Sequence, residues 1–596
     1  MKKSLVTILC FHLCSLNILG QSTVLFKLES LPLVENQKVG IRGNLPPLSW
    51  ENSIPLIAEE GTFTVKLDFP NPSNDLEFKF VLSQDNEETT WENIENRTLR
   101  LVKNEHQVSD NTWNREQIVD ISTLKPISSK KLLDDYELIS EMVLNVHPGT
   151  FRYNTTEEIT VALKELKTKF GQPLSYQEAY LSISKLTAQL KCDHTKAGFN
   201  NQNKIINSII HFQKDKVPFT FKWIDNEMVV TNNASQDTIL KRGTKIISIN
   251  QVPVLEIRNK ILPYIGADGA TDKNRIYKSE VNGYDFRYNA FDIFYSLLYP
   301  LKSNQMELEV QQLNSPKIES IKVSSVSRET RILRLIERYP TFPKSRDDLW
   351  QFEIIANNVA KLTINSFGLN GWKAMTIDYK AFLSNAFDTL VTAEIEHLII
   401  DIRENTGGSD EMANELFQYL AKTNINFERE GRTRYITFPE KLRPFVKTWG
   451  DNPWYFNLSP KIKEPTDGYY IFKDAYDQPK RKSAKKIFKG KTYLITSAAN
   501  TSLAYYTAAT FKLQNLGLLV GEETGGNLND INGGQILFLK LPNSNIEIDF
   551  PVMGAFSSNP QPDKGITPDI HTSYTLKDFI ENKDLEVEKI MLLLKK

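Results

Sequence analysis

The stretch "KTYLITSAANTSLAYYTAATFK", Lys491 to Lys512, starts as a strand and ends as a helix. Thr492–Ile495 form an apolar run. Ala504, Ala508, Ala509 and Phe511 continue at helical spacing. Ser502 stands at the junction. A serine there has two readings. It can cap the helix, the commoner role for a single such residue. It can also be a nucleophile, because the unpaired N–H groups and the positive dipole end at a helix start stabilise an oxyanion.

Working outward, the chain from about Asp348 alternates strand and helix: "VAKLTIN", "YKAFLSNAFDTL", "IEHLIIDIR", "MANELFQYLAK", then the opening stretch and "LGLLVGE". Such alternation predicts α/β layering around a sheet. Within it, "LIIDIRENTGGSDE" (Leu398–Glu411) runs a buried strand into Gly407-Gly408 and a helix. Glycines at a strand end let backbone N–H groups approach a ligand, or simply make a tight turn. The segment 424–487, rich in Lys, Arg, Pro and aromatics, is expected over the edge of this core.

Upstream, residues 206–325 read as short strands and 130–190 as three amphipathic helices, the second and third separated by "GQPLS". Residues 111–128 read as a linker. Residues 22–110, with "VLFKLESL", "KVGIRGNL", "GTFTVKLDF" and "LEFKFVLS", predict a small all-β sandwich. A chain of 596 residues is expected to hold about four domains. A net charge of −1 gives no electrostatic case for nucleic-acid partners.

The opening "MKKSLVTILCFHLCSLNILGQS" carries Lys2 and Lys3, an apolar run and Gly20 before Gln21. It reads as a signal peptide, 1–20; a membrane anchor fits less well, because His12 interrupts a short run. No later segment reads as transmembrane. Cys10 and Cys14 would leave with the leader, so the mature chain keeps Cys192 alone and no internal disulfide. The expected location is periplasmic, cell-surface or secreted. Six histidines remain as candidate bases: His106, His147, His194, His211, His397 and His571.

Together these stretches resemble the tail-specific (C-terminal processing) and tricorn-type serine peptidases. "IEHLIIDIRENTGG" resembles the family's D-x-R-x-N-x-G-G strand end, and "ITSAANTSLAYYTAATFK" its nucleophile turn. "LGLLVGEETGGN" resembles the next strand, "DKGITPDI" the closing G-[IV]-x-P-D motif, and "CDHT" the D-G-H-T turn after the helices. The resemblance runs from about Lys130 to the C-terminus. It implies a helical part (129–205), a PDZ-like domain (206–325, on "TILKRGTKIISINQVPVLEI") and an α/β crotonase-like peptidase core (326–596). The family pairs its serine either with a downstream lysine in T-x-G-K or with a histidine after the helices. Here the lysine position is Asn527, and an amide is no base near neutral pH. The resemblance therefore implies Ser502 as nucleophile and His194 as general base, with oxyanion donors at Gly407 or Gly408 and at Leu503. Tricorn-type relatives place a glutamate before G-V-x-P-D. Asp563 is the nearest carboxylate here, open to that role or to that of a surface turn residue. Asp193 replaces the serine before the histidine, and could support the site or cap the turn. No cofactor or metal is implied.

"VGIRGNLPPLSWEN", "LEFKFV" and "TTWENIENRTLRL" resemble starch-binding (family-twenty type) carbohydrate modules. Trp50, Lys79 and Trp91 match their two tryptophans and lysine. Flat indoles stack on sugar faces; the alternative is an Ig-like spacer with both rings in its core. The expected function is an exported serine endopeptidase working through an acyl-enzyme on polypeptides, with an α-glucan as the module's partner. The alternative is a catalytically silent peptide- or glycan-binding protein on the same scaffold.

Overall fold

Alternating burial builds the first of two units, Met1–Val119 and Asp120–Lys596. The structure is a computed structural model. It describes residues 21–595 except 30, 32, 34–35, 60–61, 71–74, 85–88, 93, 95, 114–117, 285–286, 314, 344–346, 369–376, 421–428, 450–452, 467, 474–486, 558 and 560. The expected signal peptide, with Cys10 and Cys14, lies outside the described residues.

Strand Ser22–Glu29 turns Val24, Phe26 and Leu28 inward, all fully buried. It pairs antiparallel with Thr62–Phe69 and parallel with His106–Asn111, and Ile57–Glu59 completes a four-stranded sheet. A second sheet holds Lys38–Gly43 and Asp75–Ser83, flanked by Ile54–Pro55, Thr90–Trp91 and Arg97–Arg100. The two sheets close on one cluster that includes Phe26, Ile41, Phe78 and Phe80. Each such ring or branched chain contributes about 1.5–3 kcal/mol by leaving water.

The second unit begins with helices Ser129–Glu141, Thr156–Phe170 and Tyr176–Gln189. The latter two start at reciprocal caps, Thr155 with Glu158 and Ser175 with Glu178. A sheet of strands Phe219–Ile224, Glu227–Asn233, Lys245–Ile249, Gln305–Gln311 and Ile318–Ser324 follows, antiparallel throughout.

The central sheet runs Trp350–Ala356, Val359–Ile364, His397–Asp401, Lys491–Thr496, Gly517–Gly521, Ile570–His571. It is parallel from the second strand on, with one antiparallel edge. Leu398, Ile400 and Leu494 pack under helices Tyr379–Thr392, Asp410–Gln418 and Ser502–Leu513. Ile399, Tyr493 and Ile495 face the C-terminal helix Leu585–Leu594 through Ile590. Coverage of both faces explains why these strands read as continuous apolar runs.

The segment 424–487 departs from expectation. Its described strands Arg429–Thr433, Val446–Lys447, Ile462–Thr466 and Tyr469–Phe472 join Gly534–Lys540 and Glu547–Ser557 in a seven-stranded sheet. Three of its aromatics, Tyr435, Phe438 and Tyr455, are buried in core. The seventh strand is Lys196–Ala197, paired antiparallel with Asp549 and Ile548. Among the described residues no helix is long and apolar enough to cross a membrane.

Candidate active site

Strand Lys491–Thr496 ends beside strand His397–Asp401, and a single amide laces the two ends together. Asn500 donates to the carbonyls of Ile402 (2.6 Å) and Asn405 (2.9 Å), and accepts from the Ser497 N–H (2.8 Å). Thr501 precedes the helix, but its hydroxyl donates to the Thr406 carbonyl (3.2 Å) and caps nothing. Ser502 then opens the helix at φ +49°. A left-handed non-glycine residue costs on the order of 1–3 kcal/mol and persists only where its surroundings impose it. Ser502 is therefore no cap. Its Oγ lies 3.1 Å from Nε2 of His194, 308 residues away in the chain.

His194 sits in the turn after Tyr176–Gln189. The short strand Lys196–Ala197 fixes that turn against Glu547–Ser557. Buried His147 holds it from behind, Nε2 to Thr195 Oγ1 at 2.7 Å. Gly533 lies against the ring: a Cβ there would stand 3.0 Å from Cε1 of His194. Burial pulls the His194 pKa down to about 4, partly offset by the Asp193 charge, so the ring is neutral at pH 7. The Asp193 carboxylate does not turn to the ring. It pairs with Lys278, and its N–H donates to Asp268 (3.0 Å). Burial alone would raise the Asp193 carboxyl; Lys278, then Lys196, hold it below the ordinary range.

The two glycines divide their work. Gly407 abuts Ser502, with its missing Cβ 2.8 Å from the serine Cβ, but its N–H donates to Asn405 Oδ1 (2.8 Å). Gly408, at φ +138°, is pressed on the Phe367 carbonyl, where a Cβ has no room. Among the described residues, the N–H groups of Gly408 and Leu503 have no partner.

Asp563 is exposed and is not hydrogen-bonded to His194. Its Oδ1 accepts from the Ala270 N–H (2.9 Å) and the Asn527 amide (2.7 Å). The residue at the lysine position thus ties Asp563 to the loop 268–270; it also donates to the Asp268 carbonyl (3.2 Å). The Nδ1 of His194 is buried and has no partner among the described residues. A cleft of about 1130 Å³ opens over His194 and Ser502, with Trp223, Tyr264, Tyr284 and Glu404 in its walls.

In the first unit, Arg42 pairs with Lys79 and Val81 with Trp91 across Asp75–Ser83, which puts Lys79 and Trp91 on one sheet face. Trp91 is 38% exposed and Trp50 half-buried, their rings 6.2 Å apart and tilted by 43°. Neither ring belongs to the sandwich core. Arg42 holds the pair: its guanidinium lies 5.0 Å from the Trp91 ring and donates to the Trp50 carbonyl (3.1 Å). Arg42, Asn500, Gly533 and Lys278 were not singled out from sequence. Each acts through distant partners, and only the strand alternation around Arg42 carried any local signal.

Residues 358–572 match the family model of peptidase family S41, and residues 21–112 that of a starch binding domain. Mature CPAF complexed with lactacystin is 13% identical over 78% of this chain and 98% of its own, with a TM-score of 0.53. Mature CPAF alone gives 13%, 76%, 94% and 0.50. At such identities the likeness is one of fold. No curated protein matches the chain. Fold and matched core define a serine-type peptidase. Residues 358–572 thus carry a peptidase family S41 domain, and residues 21–112 a starch binding domain ahead of it.

Proposed function

We propose that the protein is an exported serine endopeptidase in which Ser502 attacks and His194 acts as base. The reading rests on the 3.1 Å contact between Ser502 Oγ and His194 Nε2, made by a serine held at φ +49°. Nε2 takes the hydroxyl proton as Oγ adds to the scissile carbonyl carbon. The new oxyanion receives the N–H groups of Gly408 and Leu503, while Gly407 shapes the turn without donating. Collapse breaks the C–N bond, and His194 returns the proton to the leaving amine. Water, activated in the same way, then releases the acyl group from Ser502. Asp193 supports the site through its charge. Asn527 at the lysine position, and Lys278 paired with Asp193, support the histidine design over the lysine one.

Residues 206–325 are read as PDZ-like and residues 326–596 as a crotonase-like core, with 22–110 as the glycan module, 111–128 as linker and 129–205 as the helical part. The antiparallel sheet with helix Val254–Ile261 supports the PDZ-like reading, and its edge would take an extended peptide as an added strand. Trp50, Lys79 and Trp91 form the glycan site, with α-glucan as ligand. Export rests on the leader 1–20. The test is labelling with a fluorophosphonate probe alongside casein cleavage. Both should occur in the wild type and vanish in Ser502→Ala. Cleavage by that variant at the wild-type rate would refute the nucleophile.

A further inference from the structure

Two buried groups near the catalytic pair are unmet. Among the described residues, His194 Nδ1 and one carboxylate oxygen of Asp268, Oδ2, have no partner. Asp268 is 1% exposed, and a carboxylate oxygen of it lies within 4.8 Å of a ring nitrogen of His194. With Nε2 engaged by Ser502 and required to be a lone pair, the neutral ring carries its proton on Nδ1. A buried N–H without an acceptor and a buried carboxylate oxygen without a donor are each unfavourable. One bridging water between them would satisfy both.

The loop around Asp268 is clamped where this needs it. Gly269 N–H donates to the Lys191 carbonyl (3.1 Å), Ala270 N–H to Asp563, and Asp268 Oδ1 accepts from Asp193 N–H. The Gly266 carbonyl takes Lys278 (2.9 Å). Asp563 therefore fixes the loop that presents Asp268 rather than touching the histidine.

Resting on the Ser502–His194 reading, we infer that Asp268 is the positioning carboxylate of His194, accepting Nδ1–H and selecting the tautomer that leaves Nε2 free as base. Cys192 Sγ lies in the same cluster, but it is not a third ligand for a cation. Its thiol is pushed up to about 12 by burial and points to the Asn532 carbonyl (3.6 Å), so a thiolate is not on offer. Burial, then the Asp193 charge, push the Asp268 carboxyl up to about 7. Facing it are Asp193 and Cys192 from the turn, Lys278 from helix Asp272–Lys278, Arg152 and Tyr153 from the loop before Thr156–Phe170, and Tyr505 from the nucleophile helix.

The experiment is Asp268→Asn in the full chain, which keeps an acceptor for the Asp193 N–H. At pH 8 kcat should fall by about 10²-fold or more, with KM held within about two-fold. The wild-type rise in kcat through pH of about 7 should disappear. Activity within about three-fold of wild type, or an unchanged rise, overturns the inference. A second readout needs no change at Asp268: in Ser502→Ala, a low-field histidine Nδ1–H proton resonance should grow in as pH is raised through about 7. A resonance absent at pH 8, or constant across that range, overturns it too. A fully active Ser502→Ala fails the catalytic reading itself. A dead Ser502→Ala beside a fully active Asp268→Asn fails only Asp268.

Discussion

Ser502 is held where a helix would rather have a residue of ordinary φ, and its neighbours impose that geometry through Asn500 and Gly407. The histidine opposite is aligned by contact, which makes Gly533 a sensitive position. Gly533→Ala would put a methyl 3.0 Å from the His194 ring, so the ring must shift by a few tenths of an ångström. We expect kcat to drop by about ten- to a hundred-fold while the thermal midpoint stays near wild type; steady-state kinetics and calorimetry check this. His147 gives a pH prediction. Burial, then Arg152 and Arg434, depress its pKa to about 3, below the unfolded value of 6.5. Its contribution to stability is therefore complete above pH 6.5 and declines as pH falls toward 3. The urea midpoint of wild type relative to His147→Gln should shrink between pH 7 and pH 4. A constant difference would mean that the ring titrates normally. The sequence named Ser502, His194 and the glycine pair because their motifs are local. It pointed to Asp563 because a carboxylate just before G-I-x-P-D was the only positional cue. Asp268 lay in "GADGATD" with no such cue, since its relation to His194 exists only after a loop folds back across the helices.

Among the elements, the helix caps separate a structural serine from the proposed nucleophile. Ser175 donates and accepts in a reciprocal cap with Glu178, whereas Ser502 accepts no helix N–H. Ser175→Ala should lower stability by about 1 kcal/mol, and Ser502→Ala by much less, measured by chemical denaturation. Equal losses would restore Ser502 to a capping role. The parallel strands were readable because burial on both faces writes continuous apolar runs, and the three leading helices because their apolar residues recur at three- and four-residue spacing. The strands of 424–487 were not. Their basic and aromatic residues look like surface until a partner sheet covers them, and pairing between distant segments leaves no local period.

On the scale of the whole molecule, each unit closes its own core. Every buried member of the sandwich cluster lies between Val24 and Leu101. The two activities should thus separate. A fragment of residues 120–596 is expected to match the full chain in kcat/KM on a soluble peptide, yet to lose retention on insoluble starch. Trp50→Ala or Trp91→Ala should lose retention with peptidase activity intact, assayed by pull-down and by hydrolysis. A fragment that loses peptide hydrolysis would show that the core depends on the sandwich.

The pairing of Lys196–Ala197 with Asp549 and Ile548 has a consequence for synthesis. His194, the proposed base, is translated early and Ser502, the proposed nucleophile, late, but the strand that seats His194 comes later still. Closing so long a loop waits for nearly the entire chain. On the proposed roles, a polypeptide still on the ribosome with residue 502 already emerged would hold both side chains before the strand that seats His194 exists.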